Sequence, residues 1–283
     1  MNDIKQFKQS TQLAKRQCYI PFVDKDEYFS TTNIRDIHSV TDLEGRWTCR
    51  LFLNEAALER QQVFATLTVQ SPSNWSKLTD QSFELIKQQR FFYFEYERTY
   101  IIDDYDESKD YHLNVETLQT ESLIKINHHY IGEINDISKV SEYDITAYLH
   151  EGKNTIQIIV KDEAIVNASD FATYLRTHLN QCIYILERAN DRIVNYTLQT
   201  KYNEPQHQVN VSIDIKEVEG LPIVSYTIVD PEGFLVKHGD IDLDQSCQIQ
   251  IDEQSQLMTS CGTYTLFLET DDEIIVEQVD YRD

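Results

Sequence analysis

The residues best suited to chemistry lie in the middle of the chain. The run "DDYDESKDYH" at 103–112 crowds carboxylates as a calcium loop does. It lacks the glycine and the closing glutamate of an EF-hand loop, so a solvated connection between strands is expected. His128 and His129 are adjacent. On a strand such neighbours point to opposite faces and cannot grip one ion together, so both are read as surface-loop histidines. Cys18, Cys49, Cys182, Cys247 and Cys261 are odd in number, widely separated and form no Cys-x-x-Cys pair. Buried free thiols are the expectation. No metal and no cofactor are called for. Trp47, Trp75 and Tyr96 could stack on a sugar ring, but their alternation with polar residues suits packing in a core.

These residues need a scaffold, and its elements show as short runs of β-branched and aromatic residues: "WTCRLFL", "QQVFATLTV", "RFFYFEYERTYII", "YHLNVETL", "SLIKINH", "TIQIIV", "CIYILER", "VNVSIDI", "VSYTIV", "QIQI" and "TYTLFLET". Their number and spacing predict stacked antiparallel sheets. The alternation in "YHLNVETL" predicts a strand with Tyr111, Leu113 and Val115 facing a core and His112, Asn114 and Glu116 facing water. Helical periodicity is confined to the first twenty residues and to stretches around 53–62 and 80–89.

At 283 residues the chain is long enough for two domains, and with 41% hydrophobic and 26% charged residues it has globular composition. Its 48 acidic against 25 basic side chains give a net charge of −23, which repels phosphate backbones and anionic membranes. Neither nucleic acid nor membrane is an expected partner. The N-terminal "MNDIKQFKQSTQLAKRQCYIPF" has no apolar run of signal-peptide length. A cytoplasmic protein is expected.

The fold class is all-β, with two sandwiches. An N-terminal arm at 1–40, apolar only in patches such as "CYIPFV", is expected to pack across a first domain at 41–187. A second domain at 188–283 carries strands at eight-to-twelve-residue spacing with Pro231, Glu232 and Gly233 punctuating them, which is immunoglobulin-like patterning.

One longer segment, "IKINHHYIGEINDISKVSEYDITAYLHEGKNTIQIIV" at 124–160, reads as strand, turn, return strand, edge strand, short helical turn and strand. Asp144 or Thr146 is expected to cap the helical turn, Leu149 to anchor it and Gly152 to supply a left-handed exit. This order resembles the N-terminal sugar-binding domain of glycoside hydrolase family 2, the β-galactosidase and β-glucuronidase family. There Val-Asn-Gly leads to Phe-Asp-Ile-Thr-x-Tyr-Leu-x-x-Gly-x-Asn. "DLEGRWTCRLF" at 42–52, "SPSNW" at 71–75, "YERTYII" at 96–102 and "YLRTHLNQCIYIL" at 174–186 resemble further family segments in the same order, and "IIVEQVDYRD" resembles the end of the family's immunoglobulin-like domain.

The resemblance implies a jelly-roll, galactose-binding-domain-like sandwich followed by an immunoglobulin-like sandwich. Family members hydrolyse β-glycosides with two glutamates of a (β/α)₈ barrel that follows these domains. The sequence ends at Asp283, where such a barrel would begin, so no catalytic residue is assigned and no activity is expected of this chain alone. Asn54–Glu55 matches the dipeptide around the family's acid/base glutamate, but in the wrong domain. Asn127 keeps the asparagine of Val-Asn-Gly. Asp170 stands two residues from the position of a substrate-reaching aspartate, which Ala172 occupies. Asn127 and Asp170 are therefore the carbohydrate-binding candidates. The family's Asn-Val-x-Tyr-Pro loop has no equivalent, and Ser-Gly-Ile-x-Arg-Asp is replaced by Thr177 to Cys182.

Two functions follow as expectations. One is the non-catalytic N-terminal portion of a family 2 glycosidase, structural or part of a split enzyme, whose partner is a barrel-bearing chain. The other is a stand-alone module that binds carbohydrate or protein.

Overall fold

The computed structural model describes residues 20–71, 93–115, 122–134, 140–161, 183–203, 208–252 and 263–280. The described residues divide into two compact units, one within 41–186 and the other made of 20–40 with those of 187–280.

The first unit is built on ten strands: β1 (Val40–Asp42), β2 (Gly45–Phe52), β3 (Ala65–Ser71), β4 (Tyr93–Ile102), β5 (Lys109–Val115), β6 (Ser122–Ile126), β7 (His129–Ile134), β8 (Ser141–Asp144), β9 (Gly152–Lys161) and β10 (Ile183–Ala189). They form a six-stranded sheet, β3-β2-β4-β9-β6-β7, and a four-stranded sheet, β1-β10-β5-β8. Alternate residues of the two sheets meet in one core that includes Trp47, Phe94, Tyr96, Tyr111, Tyr143 and Ile158. Each such side chain stabilises the sandwich by roughly 1.5–3 kcal/mol relative to exposure. This is the jelly-roll-type sandwich expected. Strand β8 lies at a sheet edge, also as expected.

The second unit carries β11 (Arg192–Asn203), β12 (Gln208–Glu219), β13 (Ser225–Val229), β14 (Leu235–Asp240), β15 (Cys247–Asp252), β16 (Thr263–Glu269) and β17 (Ile274–Asp280). A three-stranded sheet, β11-β12-β15, packs on a four-stranded sheet, β14-β13-β16-β17. All the pairings are antiparallel. Seven strands in two such sheets make an immunoglobulin-like sandwich.

Two expectations are corrected. His112 and Asn114 do not face water: both are buried, and so are Leu113 and Val115 on the other face of β5. Alternation marks two faces but not whether the polar one is covered. The second concerns part of the arm: residues 20–39 group with the second unit, whereas 1–19 lie outside the described residues. Phe22 pairs with Ile274 through two 2.8 Å backbone hydrogen bonds. A short helix, α1 (Lys25–Ser30), is capped by Asp24, whose carboxylate accepts from Glu27 N. It sets Tyr28 edge-on to Phe267 at 5.5 Å between ring centroids. Lys25 lies over the same ring and bonds Glu269 at 2.8 Å. The arm is thus the cover for the outer apolar face made by Val229, Phe267 and Ile274.

Candidate functional site

The described parts of the segment at 124–160, residues 124–134 and 140–160, fold as one clamp, and their residues explain why the motif has these letters. Strands β6 and β7 meet through a two-residue turn in which Asn127 (φ 49°) and His128 (φ 69°) are both left-handed, the conformation of a type I′ hairpin turn. Asparagine tolerates it; histidine does so at a cost that glycine would not carry. The Asn127 amide donates to Tyr148 O and to Asn154 Oδ1, each at 2.8 Å, while its Oδ1 accepts from Thr155 N at 2.8 Å. Asn154, fully buried, donates in turn to His150 O at 2.7 Å.

The N-cap of the 3₁₀ turn at Thr146–Tyr148 is Ile145, which makes no side-chain cap bond, so neither Asp144 nor Thr146 is the cap and the turn is held from one residue further back. Asp144 accepts from Thr146 N at 3.0 Å, and Leu149 is buried. Thr146 plays a further part, since its hydroxyl accepts from Tyr111 N at 2.8 Å. Gly152 has φ 87°, which only glycine adopts freely, and releases the chain into β9. The sugar candidate Asn127 is therefore bonded on both amide hydrogens within the fold. Asp170 lies outside the described residues, as do Ala172, Trp75 and Thr177 to Cys182.

Beside this turn the face of the six-stranded sheet away from the core carries a cluster of charged residues. Arg50 lies between two carboxylates: it meets Glu97 with both terminal nitrogens at 2.8 Å and Glu95 with one at 2.8 Å. Gln157 donates to Glu97 at 3.0 Å. Arg50 holds the Glu97 carboxyl below the ordinary range. Glu97 is therefore ionised at neutral pH and unsuited to donating a proton to a glycosidic oxygen, the task that requires a raised carboxyl. The cluster can hydrogen-bond hydroxyl groups, but it is not an acid and nucleophile pair.

The remaining candidates take structural places. Asn54 caps helix α2 (Glu55–Glu59) by accepting from Ala57 N at 2.9 Å, and Glu55 is exposed. Trp47 and Tyr96 are buried in the core, and the Trp47 indole donates to Leu43 O at 3.0 Å. Arg98 donates to the carbonyls of Leu43 and Glu44, tying β4 to the turn before β2. His129 tilts against Tyr148 at 5.7 Å, and His128 is exposed in the turn. Cys49 is a buried free thiol whose pKa burial pushes up, while Cys247 is half-buried; the other three cysteines lie outside the described residues. In the acidic run, Asp106 folds back on Ser108 through its amide and hydroxyl. Among the described residues no group of three or more histidines, cysteines and carboxylates is placed to hold a metal. The pairing of buried His112 with Glu142 at 2.9 Å has no signature in the sequence beyond strand alternation.

Comparison with known proteins shows what this chain is similar to. No family model matches the chain. It is 24% identical over 290 residues to a β-galactosidase of Staphylococcus xylosus, an alignment that takes in 96% of this chain and 29% of that one. A β-galactosidase of Actinobacillus pleuropneumoniae matches at 24% over 62% of the chain. In fold the chain is similar to β-glucuronidases of an uncultured Clostridium and of Ruminococcus gnavus, each at TM-score 0.67 and 14% identity over 86% of this chain; it spans 44% and 45% of theirs. These findings support a chain of the glycoside hydrolase family 2 type. Within that type its sequence relatives are β-galactosidases, and it spans less than a third of their length.

Proposed function

We propose that the chain serves as the non-catalytic, N-terminal two-sandwich portion of a β-galactosidase-type glycosidase, and that it works with a catalytic portion borne on another polypeptide. The alignment with the S. xylosus β-galactosidase carries the β-galactosidase-type part of this reading: it takes in 96% of this chain and 29% of that enzyme. Three structural observations support it. Arg50 neutralises the carboxylates of the first unit's charged cluster. Asn127 is bonded within its own clamp. The second unit leaves large apolar side chains bare, as a surface that meets a partner does.

Native mass spectrometry of the protein isolated from its own host at low salt tests the reading. A complex with a barrel-bearing polypeptide is expected, with hydrolysis of a nitrophenyl β-galactoside requiring both. A lone monomer or homodimer sinks it, as does hydrolysis by the purified chain alone.

A further inference from the structure

At one end of the second unit three loops come together. They join β10 to β11, β12 to β13 and β14 to β15. The middle loop, Gly220 to Val224, projects Leu221 and Ile223, which are 90% and 69% exposed; Leu243 on the third loop is 38% exposed. Such exposure normally accompanies a loose loop, yet this one is tied on both sides. Asp191 Oδ1 accepts from Leu221 N at 2.8 Å, and Val224 O accepts from Ile241 N at 2.8 Å. Gly220 has φ +69°, and a Cβ there would fall 1.9 Å from the Asp191 carboxylate, so only glycine permits the tie. The third loop is fixed in turn by Asp242, which accepts from Asp244 N at 3.0 Å. The apolar pair is held out in a fixed position, which lowers the entropy lost when something covers it.

The surrounding charge indicates what covers it. Asp191, Glu217, Glu219, Asp240, Asp242 and Asp244 are exposed around the loops. The neighbouring basic residues are engaged, Arg192 with Glu219 and Lys216 with Asp214. An apolar centre inside an acidic rim fits a protein surface with an apolar pocket and a rim of lysine and arginine. It does not fit a second copy of this chain, which would set one acidic rim against another at −23 charges each.

We infer that this loop cluster is where the catalytic polypeptide docks, seating Leu221 and Ile223 in an apolar pocket ringed by basic side chains. The inference rests on the function proposed above and adds the surface and its chemistry.

In-host photo-crosslinking tests it, with p-benzoylphenylalanine placed at Leu221 in one protein and at Phe234, past the opposite end of β13, in another. The expected result is an adduct from position 221, and not from 234, with a polypeptide that carries galactoside-hydrolysing activity. Its yield should fall at least tenfold when Glu217→Lys and Asp244→Lys are added, since neither side chain caps a loop. Unchanged thermal unfolding of that charge-reversed protein would confirm that its fold is kept. An adduct with a second copy, with a protein lacking such activity, or of undiminished yield after charge reversal overturns the inference, as does no adduct at all. If the active polypeptide is captured from 234 alone, the proposed function stands and this docking surface falls. If neither position captures it and no activity copurifies, both fall.

Discussion

Asn127 ties three parts of the first unit together through one side chain, its own turn, the 3₁₀ turn and β9, and its loss cannot be repaired locally. Replacing it with alanine leaves the Asn154 amide oxygen short of a donor and Thr155 N without its acceptor. Asn127→Ala should cost roughly 2–4 kcal/mol of stability, read from urea unfolding curves. Its neighbour predicts the opposite sign. His128 is exposed at φ 69°, so His128→Gly should raise stability by up to about 1 kcal/mol in the same assay. Glu97 predicts a pH dependence. Its carboxyl is depressed in the folded state by Arg50, so its contribution is present above the unfolded carboxyl range and is lost as pH falls through the lower, folded value. The melting temperature should therefore drop on acidification below about pH 5, and less steeply in Glu97→Gln. The turn at Asn127 was legible because asparagine before a position of positive φ is a local preference. The burial of His112 was not, since covering a sheet's polar face is decided by residues far away in sequence.

Among the elements, the start of the second unit rests on an ion pair shielded from water. Arg188, at the end of β10, binds Glu273 through two nitrogens at 3.0 and 2.7 Å, and both are buried. It also donates to Ile193 O at 3.1 Å, fixing the hairpin that follows. Arg188→Met would leave Glu273 buried without its cation and should cost about 3–5 kcal/mol. The double substitution with Glu273→Leu should recover much of that loss, and a double-mutant cycle by chemical denaturation measures both. Most strands announce themselves by composition, β2, β4, β9 and β16 most clearly. Strand β14, "LVKHGD", is exposed except at Gly239 and has no alternation to find. Helix α1 is six residues long and buries none of them, so no periodic stripe marks it. Asp24 three residues before Glu27 is the signal that could have found it, as an N-cap rather than a period.

For the whole molecule, division into two β-sandwiches was readable from strand spacing, whereas the arm's destination was not. Its patches, Phe22, Tyr28 and Phe29, suit any apolar face, and the choice of Phe267 is made by three-dimensional fit. A fragment of residues 187–283 should accordingly bare Phe267 and Val276 and bind anilinonaphthalene sulfonate. A peptide of residues 20–40 added in trans should reverse the fluorescence. Equal dye binding with and without the peptide would contradict the cover role of the arm.

The same arm orders events in time. Tyr28 and its hydrogen-bonding partner Gln278 are 250 residues apart. At cellular synthesis rates roughly ten seconds to a minute separates their emergence from the ribosome. Throughout that interval the arm's aromatic rings have no sheet to cover, and the first sandwich must fold beside them without capturing them. The second sandwich closes only when the arm, made 250 residues earlier, returns to meet β17.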